Sequence, residues 1–260
     1  MKIDTQINSN IKKLLDESNE SMYWIGFILA DGHIDNVKNR LTVATSIKDL
    51  DYLKTLSDYL ETTLNTYPKK SYCSIACQDQ INVSLLAKKY NISNRKTYEP
   101  PDISKYELNI NQWISLICGF IDGDGCIGHQ TGRKAHTIRI KCHSSWKENL
   151  SFIEKKLYEI LLNIHSEKLT KINNQGYAQV AFSKNLLITK LKEKAISLNI
   201  PLMKRKWNKI DTNFISKYDT ADKIRNIVID LHNHGFDTNE IADKLSYSYG
   251  GVYRIVRYLS

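Results

Sequence analysis

Two stretches of the 260-residue sequence match each other and decide the fold, WIGFILADGHI (Trp24–Ile34) and ICGFIDGDGCI (Ile117–Ile127). Each holds two small residues four positions apart, and residues with this spacing lie on one face of a helix. The small residues are Gly26 and Ala30 in the first stretch and Gly119 and Gly123 in the second. Because small faces let backbones approach closely, the sequence predicts two helices that cross in contact.

Each predicted helix ends on Asp-Gly, so Asp31 and Asp124 occupy equivalent positions, and we expect Gly32 and Gly125 as left-handed C-caps. Two carboxylates at two helix C-termini are unfavourable, because the helix dipole opposes negative charge there. A divalent cation would relieve this strain, and a few oxygen ligands with positions left for water and phosphate are typical of Mg²⁺, with Mn²⁺ as an alternative. One Asp-Gly alone would be an ordinary turn, but a matched pair favours metal-assisted phosphodiester hydrolysis.

The similarity between the two stretches continues over about a hundred residues. An alternating strand follows each motif, RLTVATS (Arg40–Ser46) and TIRIKCHSS (Thr137–Ser145). A helical pattern, further strands and a last helix come next in both copies, and each copy closes on a basic segment. Such a duplicated unit implies a pseudo-two-fold molecule, which suits a nearly two-fold ligand such as duplex DNA.

The composition is that of an ordinary globular protein with an excess of positive charge. The formal net charge is +9, and all of the excess lies in residues 1–216, because residues 217–260 are neutral. This balance favours an anionic partner, most often nucleic acid. The N-terminus has no signal-peptide pattern and no membrane segment is expected. The five cysteines form no CxxC pair, so we expect reduced thiols in an intracellular, reducing compartment.

The stretch from Ser21 to Ile210 resembles a monomeric, two-motif LAGLIDADG homing endonuclease. That resemblance implies an α+β fold with two pseudo-symmetric αββαββα halves, whose sheets form saddles over DNA and whose motif helices form the central interface. It also implies cleavage of both DNA strands with Mg²⁺ held by the last acid of each motif, here Asp31 and Asp124. Leu29 stands where the family often has an acid, and its counterpart Asp122 is expected to form local hydrogen bonds and not to bind metal.

The family also places a lysine near each scissile phosphate, in the segment that closes each half. Lys96 matches this position in the first half. In the second half the internal alignment favours Lys204, whereas the distance from Ile-Pro favours Lys206. Such a cation could stabilise charge on the phosphate, and the alternative is a solvated loop or simple phosphate positioning.

Sequence readout is expected from the sheets, where alternation exposes polar side chains that could reach base edges in the major groove. The candidates are Arg40 and Thr42 in the first half and Arg139 and Lys141 in the second. A polar solvent face of a half-buried sheet is the alternative. His232 and His234 suit the end of a helix, before Gly235, and are not expected to bind zinc.

Residues 217–260 are predicted to form three short helices that resemble a helix-turn-helix domain, or else a packing appendage. Val252, Ile255, Val256 and Leu259 would face inward, and the outward residues of the last helix would contact DNA: Tyr249, Tyr253, Arg254 and Arg257. The predicted order is an N-terminal segment (1–20), two halves (21–105 and 106–216) and this domain, with Lys206–Asp219 as the linker.

The resemblance therefore implies a site-specific DNA endonuclease of the intron-homing kind, which acts as a monomer on a long, asymmetric double-stranded site. The chain lacks an intein's terminal residues, so we expect it to be free-standing. A maturase that binds intron RNA on the same fold is one alternative. A transcription regulator without cleavage activity is the other, and the two crowded carboxylates argue against it.

Overall fold

The computed structural model describes residues 10–129, 136–166, 169–212, 217–245 and 247–258. The predicted α+β class and the αββαββα order of each half are confirmed. The first half consists of α1 (Asn19–Asp31), β1 (Gly32–Asp35), β2 (Arg40–Ser46), α2 (Leu50–Tyr59), β3 (Leu64–Tyr67), β4 (Tyr72–Gln78) and α3 (Gln80–Lys89). The second consists of α4 (Ile110–Asp124), β5 (Gly125–His129), β6 (His136–His143), α5 (Lys147–Leu162), β7 (Lys171–Ile172), β8 (Tyr177–Phe182) and α6 (Asn185–Ser197).

Each half has a four-stranded antiparallel sheet with equivalent strand order, β1-β2-β4-β3 in the first and β5-β6-β8-β7 in the second. The registers also match, since Gly32 pairs with Val43 in one sheet and Gly125 with Ile140 in the other. The alternating apolar residues of the strands are buried against the helices, as the period-2 pattern predicts. One face of each sheet is therefore left for other contacts.

The motif helices α1 and α4 pack backbone to backbone, as the small residues predict. A Cβ added to Gly26 would overlap the carbonyl oxygen of Leu116, and one added to Gly119 would overlap that of Tyr23. A Cβ added to Gly123 would overlap the side-chain Cβ of Ala30. The side chain of Ser18 caps the N-terminus of α1, and a capping box at Asn109 starts α4.

The prediction that Gly32 and Gly125 are left-handed C-caps is wrong. Their φ angles are −78° and −87°, because each motif helix continues directly into a strand. The glycines are needed there for space: a Cβ on Gly32 would lie 2.8 Å from the Cα of Ile28, and one on Gly125 would overlap the carbonyl oxygen of Ile121.

The ends of the two-half body also pack more extensively than expected. Ile11 and Leu14, in the segment before α1, are fully buried in the core. A short helix, α7 (Lys204–Trp207), follows α6, and Trp207 and Ile210 are buried. The linker predicted at Lys206–Asp219 therefore starts too early, and its residues 213–216 lie outside the described part.

The C-terminal residues form α8 (Lys217–Asn233), α9 (Thr238–Leu245) and α10 (Tyr249–Arg257) around their own small apolar cluster. Its buried members are Val228, Ile241, Ala242 and Val252. Gly235 ends the first helix with a φ of +89°, and Asp237 caps the second through the amides of Asn239 and Glu240. Ile255 and Val256 pack inward as predicted, whereas Leu259 lies outside the described residues.

Among the residues that the structure describes, no helix is both long and apolar enough to cross a membrane. All five cysteines are free thiols, and every one of them except Cys126 is buried.

Candidate active site

The two motif acids meet where α1 and α4 end. Asp31 and Asp124 both reach solvent, while the residues before them are packed into the helix pair. Desolvation by the surrounding protein and repulsion from Asp124 raise the pKa of Asp31 to about 6. Desolvation also raises the pKa of Asp124, opposed by a hydrogen bond from the Cys142 thiol at 3.5 Å. The structure thus holds two carboxylates close enough to repel one another.

Two buried lysines lie behind these acids. The Nζ of Lys96 donates to the carbonyl oxygens of Leu29 (2.9 Å) and Ala30 (2.8 Å), which end α1. The Nζ of Lys206 lies within 3.2 Å of four carbonyl oxygens at the end of α4, those of Ile121, Asp122, Gly123 and Gly125. Burial lowers the pKa of both lysines, and the nearby carboxylates oppose that effect. Each ammonium therefore caps a motif helix where its dipole is negative.

This geometry identifies the second-half counterpart of Lys96. Lys206 makes the same kind of carbonyl contacts and is 6% exposed, whereas Lys204 is exposed on the opposite edge of α7 and lines a surface groove. The sequence alone left both Lys204 and Lys206 as candidates for this position. The structure brings Lys96 and Lys206 to the acids and leaves Lys204 away from them. Whether they assist catalysis stays a prediction.

Replacing Lys206 should destabilise the protein strongly. Lys206→Met is expected to lower the free energy of unfolding by about 2 kcal/mol or more, because a buried acceptor left without a partner costs about 1–3 kcal/mol. Lys204→Met is the matched control and should change it by less than about 0.5 kcal/mol, as surface substitutions usually do. Urea unfolding of both variants measures this difference, and equal stabilities would show that the carbonyl contacts contribute little.

Asp122 is buried and forms hydrogen bonds, as predicted, but its partners are distant in sequence and not local. Its carboxylate accepts from the Tyr23 hydroxyl (2.6 Å), the Met203 amide (3.0 Å) and the Trp207 indole (2.8 Å). The hydroxyls of Tyr23 and Tyr52 are 2.8 Å apart. With all these partners inside the protein, Asp122 ties α7 to α1 and is not directed at a ligand.

A second link between the halves was not predicted from the sequence. Arg205 forms a bidentate ion pair with the buried carboxylate of Asp49, which follows β2. It pins α7 from one half onto the other beside Lys206. No local pattern connects these two residues, which are 156 positions apart.

The predicted readout residues lie on the outward sheet faces. Arg40 and Arg139 are exposed, Thr42 is half-buried, and Lys141 extends over the ring of Tyr177 at 4.3 Å. The strands β4 and β8 complete these faces with further polar residues, which were not predicted from the sequence. They are Tyr72, Ser74 and Gln78 in the first sheet, and Tyr177 and Gln179 in the second. The outward Tyr249, Tyr253, Arg254 and Arg257 of α10 are also exposed.

The donor set at the acids suits a hard cation that brings its own further ligands. In the described ranges, no group of three or more His, Cys, Asp and Glu side chains is arranged to hold a metal ion. Two carboxylates that leave other positions to water and phosphate fit Mg²⁺. The Cys142 thiol does not add a soft ligand, because burial and the charge of Asp124 raise its pKa and keep it protonated.

No protein-family model and no curated protein sequence matches the chain. Among solved structures, it is similar to the LAGLIDADG meganuclease I-CpaMI bound to uncleaved DNA, with 12% identity and a TM-score of 0.41 over 91% of this chain and 96% of that one. The chain is also similar to the homing endonuclease I-SmaMI bound to cleaved DNA, with 13% identity and a TM-score of 0.43 over 82% of this chain and 90% of that one. The third similar structure is the N-terminal LAGLIDADG domain of DUF199/WhiA, with 14% identity and a TM-score of 0.44 over 74% of this chain and 93% of that one. All three are LAGLIDADG proteins, the family that the two motifs resemble. Similarity at this level is one of fold and transfers no function.

Proposed function

We propose that this protein is a site-specific endonuclease that hydrolyses one phosphodiester bond in each strand of duplex DNA. The observation that carries the proposal is the pair of solvent-accessible carboxylates, Asp31 and Asp124, at the ends of two closely packed helices related by a pseudo-dyad. Pure packing gains nothing from two adjacent carboxylates, where desolvation and repulsion from Asp124 raise the pKa of Asp31. The pseudo-two-fold arrangement provides one acid for each strand.

A divalent cation such as Mg²⁺, held by Asp31 and Asp124, would supply Lewis-acid stabilisation of the phosphate. The chain's own residues do the positioning. Lys96 and Lys206 hold the helix ends and place positive charge beside both acids. Around them, the outward sheet residues bind the DNA backbone and bases. The +9 net charge of the chain supports a broad phosphate footprint.

Base readout would come from the two sheets. Arg139 is exposed and, within the described part of the chain, has no ion-pair partner, so its guanidinium is free to contact a guanine edge. Its register counterpart in the first half is Thr42, since these residues pair with Cys126 and His33 respectively. Different side chains at equivalent positions favour an asymmetric target site.

The test is cleavage of a randomised DNA library by the intact chain with and without Mg²⁺, followed by sequencing of the ends. A site-specific nuclease produces new DNA ends at one shared sequence in Mg²⁺ and produces none without it. Intron RNA is assayed in parallel, since RNA binding without DNA cleavage would favour a maturase. Site-specific DNA binding without ends would favour a regulator.

The C-terminal domain is proposed to add phosphate contacts on the DNA through α10. Replacing Arg254 and Arg257 together by Ala is expected to weaken DNA binding and to reduce the slope of log affinity against log salt by about two, one for each lost phosphate contact. Val252→Ala, in the buried cluster, is the contrasting variant, because it should lower the stability of this domain and leave the slope unchanged in its folded form. An unchanged slope in the arginine variant would reduce the domain to a packing appendage.

A further inference from the structure

Asp49 and Trp146 occupy equivalent positions in the two halves. Asp49 comes directly before α2, and Trp146 comes directly before α5. Each lies six residues after the strand residue that pairs with its motif glycine, Val43 in the first half and Ile140 in the second. Both side chains are buried. Each is thus enclosed by protein at the point where the chain passes from the sheet into a helix.

Each of these side chains contacts the closing segment of the other half. The carboxylate of Asp49 forms the ion pair with Arg205, in which Oδ2 accepts from Nη2 at 2.7 Å. Arg205 directly precedes Lys206. The indole N–H of Trp146 donates to the backbone carbonyl oxygen of Lys96 at 3.1 Å. We call these two contacts the braces. They cross the interface in opposite directions, so each half holds the segment that carries the other half's lysine.

The two braces occupy the same place in each half but differ in chemistry. Arg95, which precedes Lys96 as Arg205 precedes Lys206, forms an exposed ion pair with Glu99 at 3.1 Å within its own segment. The first closing segment is therefore held through its backbone, and the second is held through a charged side chain. Two different residue types thus make the same cross-interface contact at equivalent positions. Such recurrence is expected of a contact that both centres need.

The two braced lysines act unequally on the two acids. Desolvation and Asp124 raise the pKa of Asp31 to about 6, and Lys206 opposes that rise more than Lys96 does. Desolvation also raises the pKa of Asp124, and there Lys96 is the stronger of the two lysines in opposing the rise. The charge of each lysine is therefore felt more by one acid than by the other. A displaced closing segment would change one centre more than its counterpart.

We propose that Asp49 and Trp146 are positioning residues for DNA cleavage, each of which places the lysine of the opposite half. Asp49 acts through Arg205 on Lys206, and Trp146 acts on Lys96. This inference rests on the proposed endonuclease function. Each centre then depends on both halves, and the loss of one brace slows the cut in one strand more than the cut in the other.

The test is single-turnover cleavage, at saturating protein, of a duplex labelled differently on each strand. Asp49→Asn removes the charge of one brace and is expected to slow one strand roughly 10-fold. This is less than the hundredfold that a misplaced group can cost, because the carbonyl contacts of Lys206 remain. Asp49→Glu keeps a carboxylate and should recover part of the loss. Asp51→Asn, the same change at an exposed acid of α2, is the control.

Trp146→Phe removes the other brace and keeps a buried aromatic ring. It is expected to slow the opposite strand by about 2- to 10-fold, the range of a neutral hydrogen bond. Trp113→Phe, the same change at a buried residue near the start of α4, is the control and should leave both rates unchanged. Affinity for the target is expected to persist in both brace variants.

Equal slowing of both strands by Asp49→Asn or by Trp146→Phe would indicate general loosening of the protein and overturn the proposal. Unchanged rates in both variants would overturn it too, as would slowing of the same strand by both. A wild-type chain that binds its site but cuts neither strand would instead refute the endonuclease function.

Amide hydrogen exchange in the protein without DNA or metal tests the braces independently of cleavage. The Lys206 amide donates to the Met203 carbonyl at 2.9 Å, and the Lys96 amide donates to that of Ser93 at 3.2 Å. Asp49→Asn should speed exchange at Lys206 roughly 10-fold and leave Lys96 unchanged, because it loosens only the second closing segment. Trp146→Phe should do the reverse. Equal protection of both amides in every variant would show that the braces hold neither segment.

Discussion

Asp31→Asn and Asp124→Asn should each reduce double-strand cleavage by more than about 100-fold, because even an outer-shell partner of a bound metal contributes about 10- to 100-fold. Both side chains are isosteric with the originals and lie at the surface, so the fold and the sheet faces that bind DNA stay in place. Affinity for the target is expected to persist. Asp51→Asn, an exposed acid near the start of α2, is the control and should leave cleavage unchanged.

The same substitutions should stabilise the metal-free protein at neutral pH. Since the pKa of Asp31 is raised to about 6 by desolvation and Asp124, the folded state binds more protons than the unfolded state between roughly pH 4 and 6. The free energy of unfolding therefore falls as the pH rises through this window, and Asp31→Asn removes that loss. The melting temperatures of the Asn variants in a chelator should lie above that of the wild type at pH 7.5 and converge with it at pH 4.

Full cleavage by either Asn variant would show that these acids are not the catalytic residues.

Gly119→Ala is expected to destabilise the protein by about 3 kcal/mol or more, at the upper end of what overpacking a core costs. The added methyl would overlap the carbonyl oxygen of Tyr23, so α1 and α4 have to move apart. The usual gain of about 1 kcal/mol for Ala over Gly in a helix is too small to compensate.

Gly128→Ala in β5 is the matched control, because a Cβ there meets no atom within 4 Å. It should leave the midpoint of denaturant unfolding nearly unchanged. If Gly119→Ala were as stable as Gly128→Ala, the helices could not pack as closely as the structure shows.

Much of the fold could be predicted because its determinants repeat at short range. The spacing of Gly26 and Ala30 indicated a helix-helix contact, and alternation in Arg40–Ser46 indicated a half-buried strand. Matching offsets between the halves then predicted the pseudo-dyad. Each of these signals depends on a few neighbouring residues and on regular backbone geometry.

The rest depends on contacts between residues far apart in sequence. The partners of Asp122 include Tyr23 and Trp207, which are 99 and 85 positions away, and no local pattern connects them. Lys206 could be told from Lys204 only once the carbonyls at the end of α4 were in place. The prediction of left-handed caps at Gly32 and Gly125 was wrong because an Asp-Gly pair does not show whether the chain turns or continues into a strand.

The most direct measurement is the mapping of cut positions on both strands of a selected target duplex, with the intact chain in Mg²⁺ and in a chelator. We expect one cut in each strand at a single site in Mg²⁺, none in the chelator, and none with Asp124→Asn despite retained binding. Specific binding with both strands intact in every divalent cation tested would contradict the proposed endonuclease.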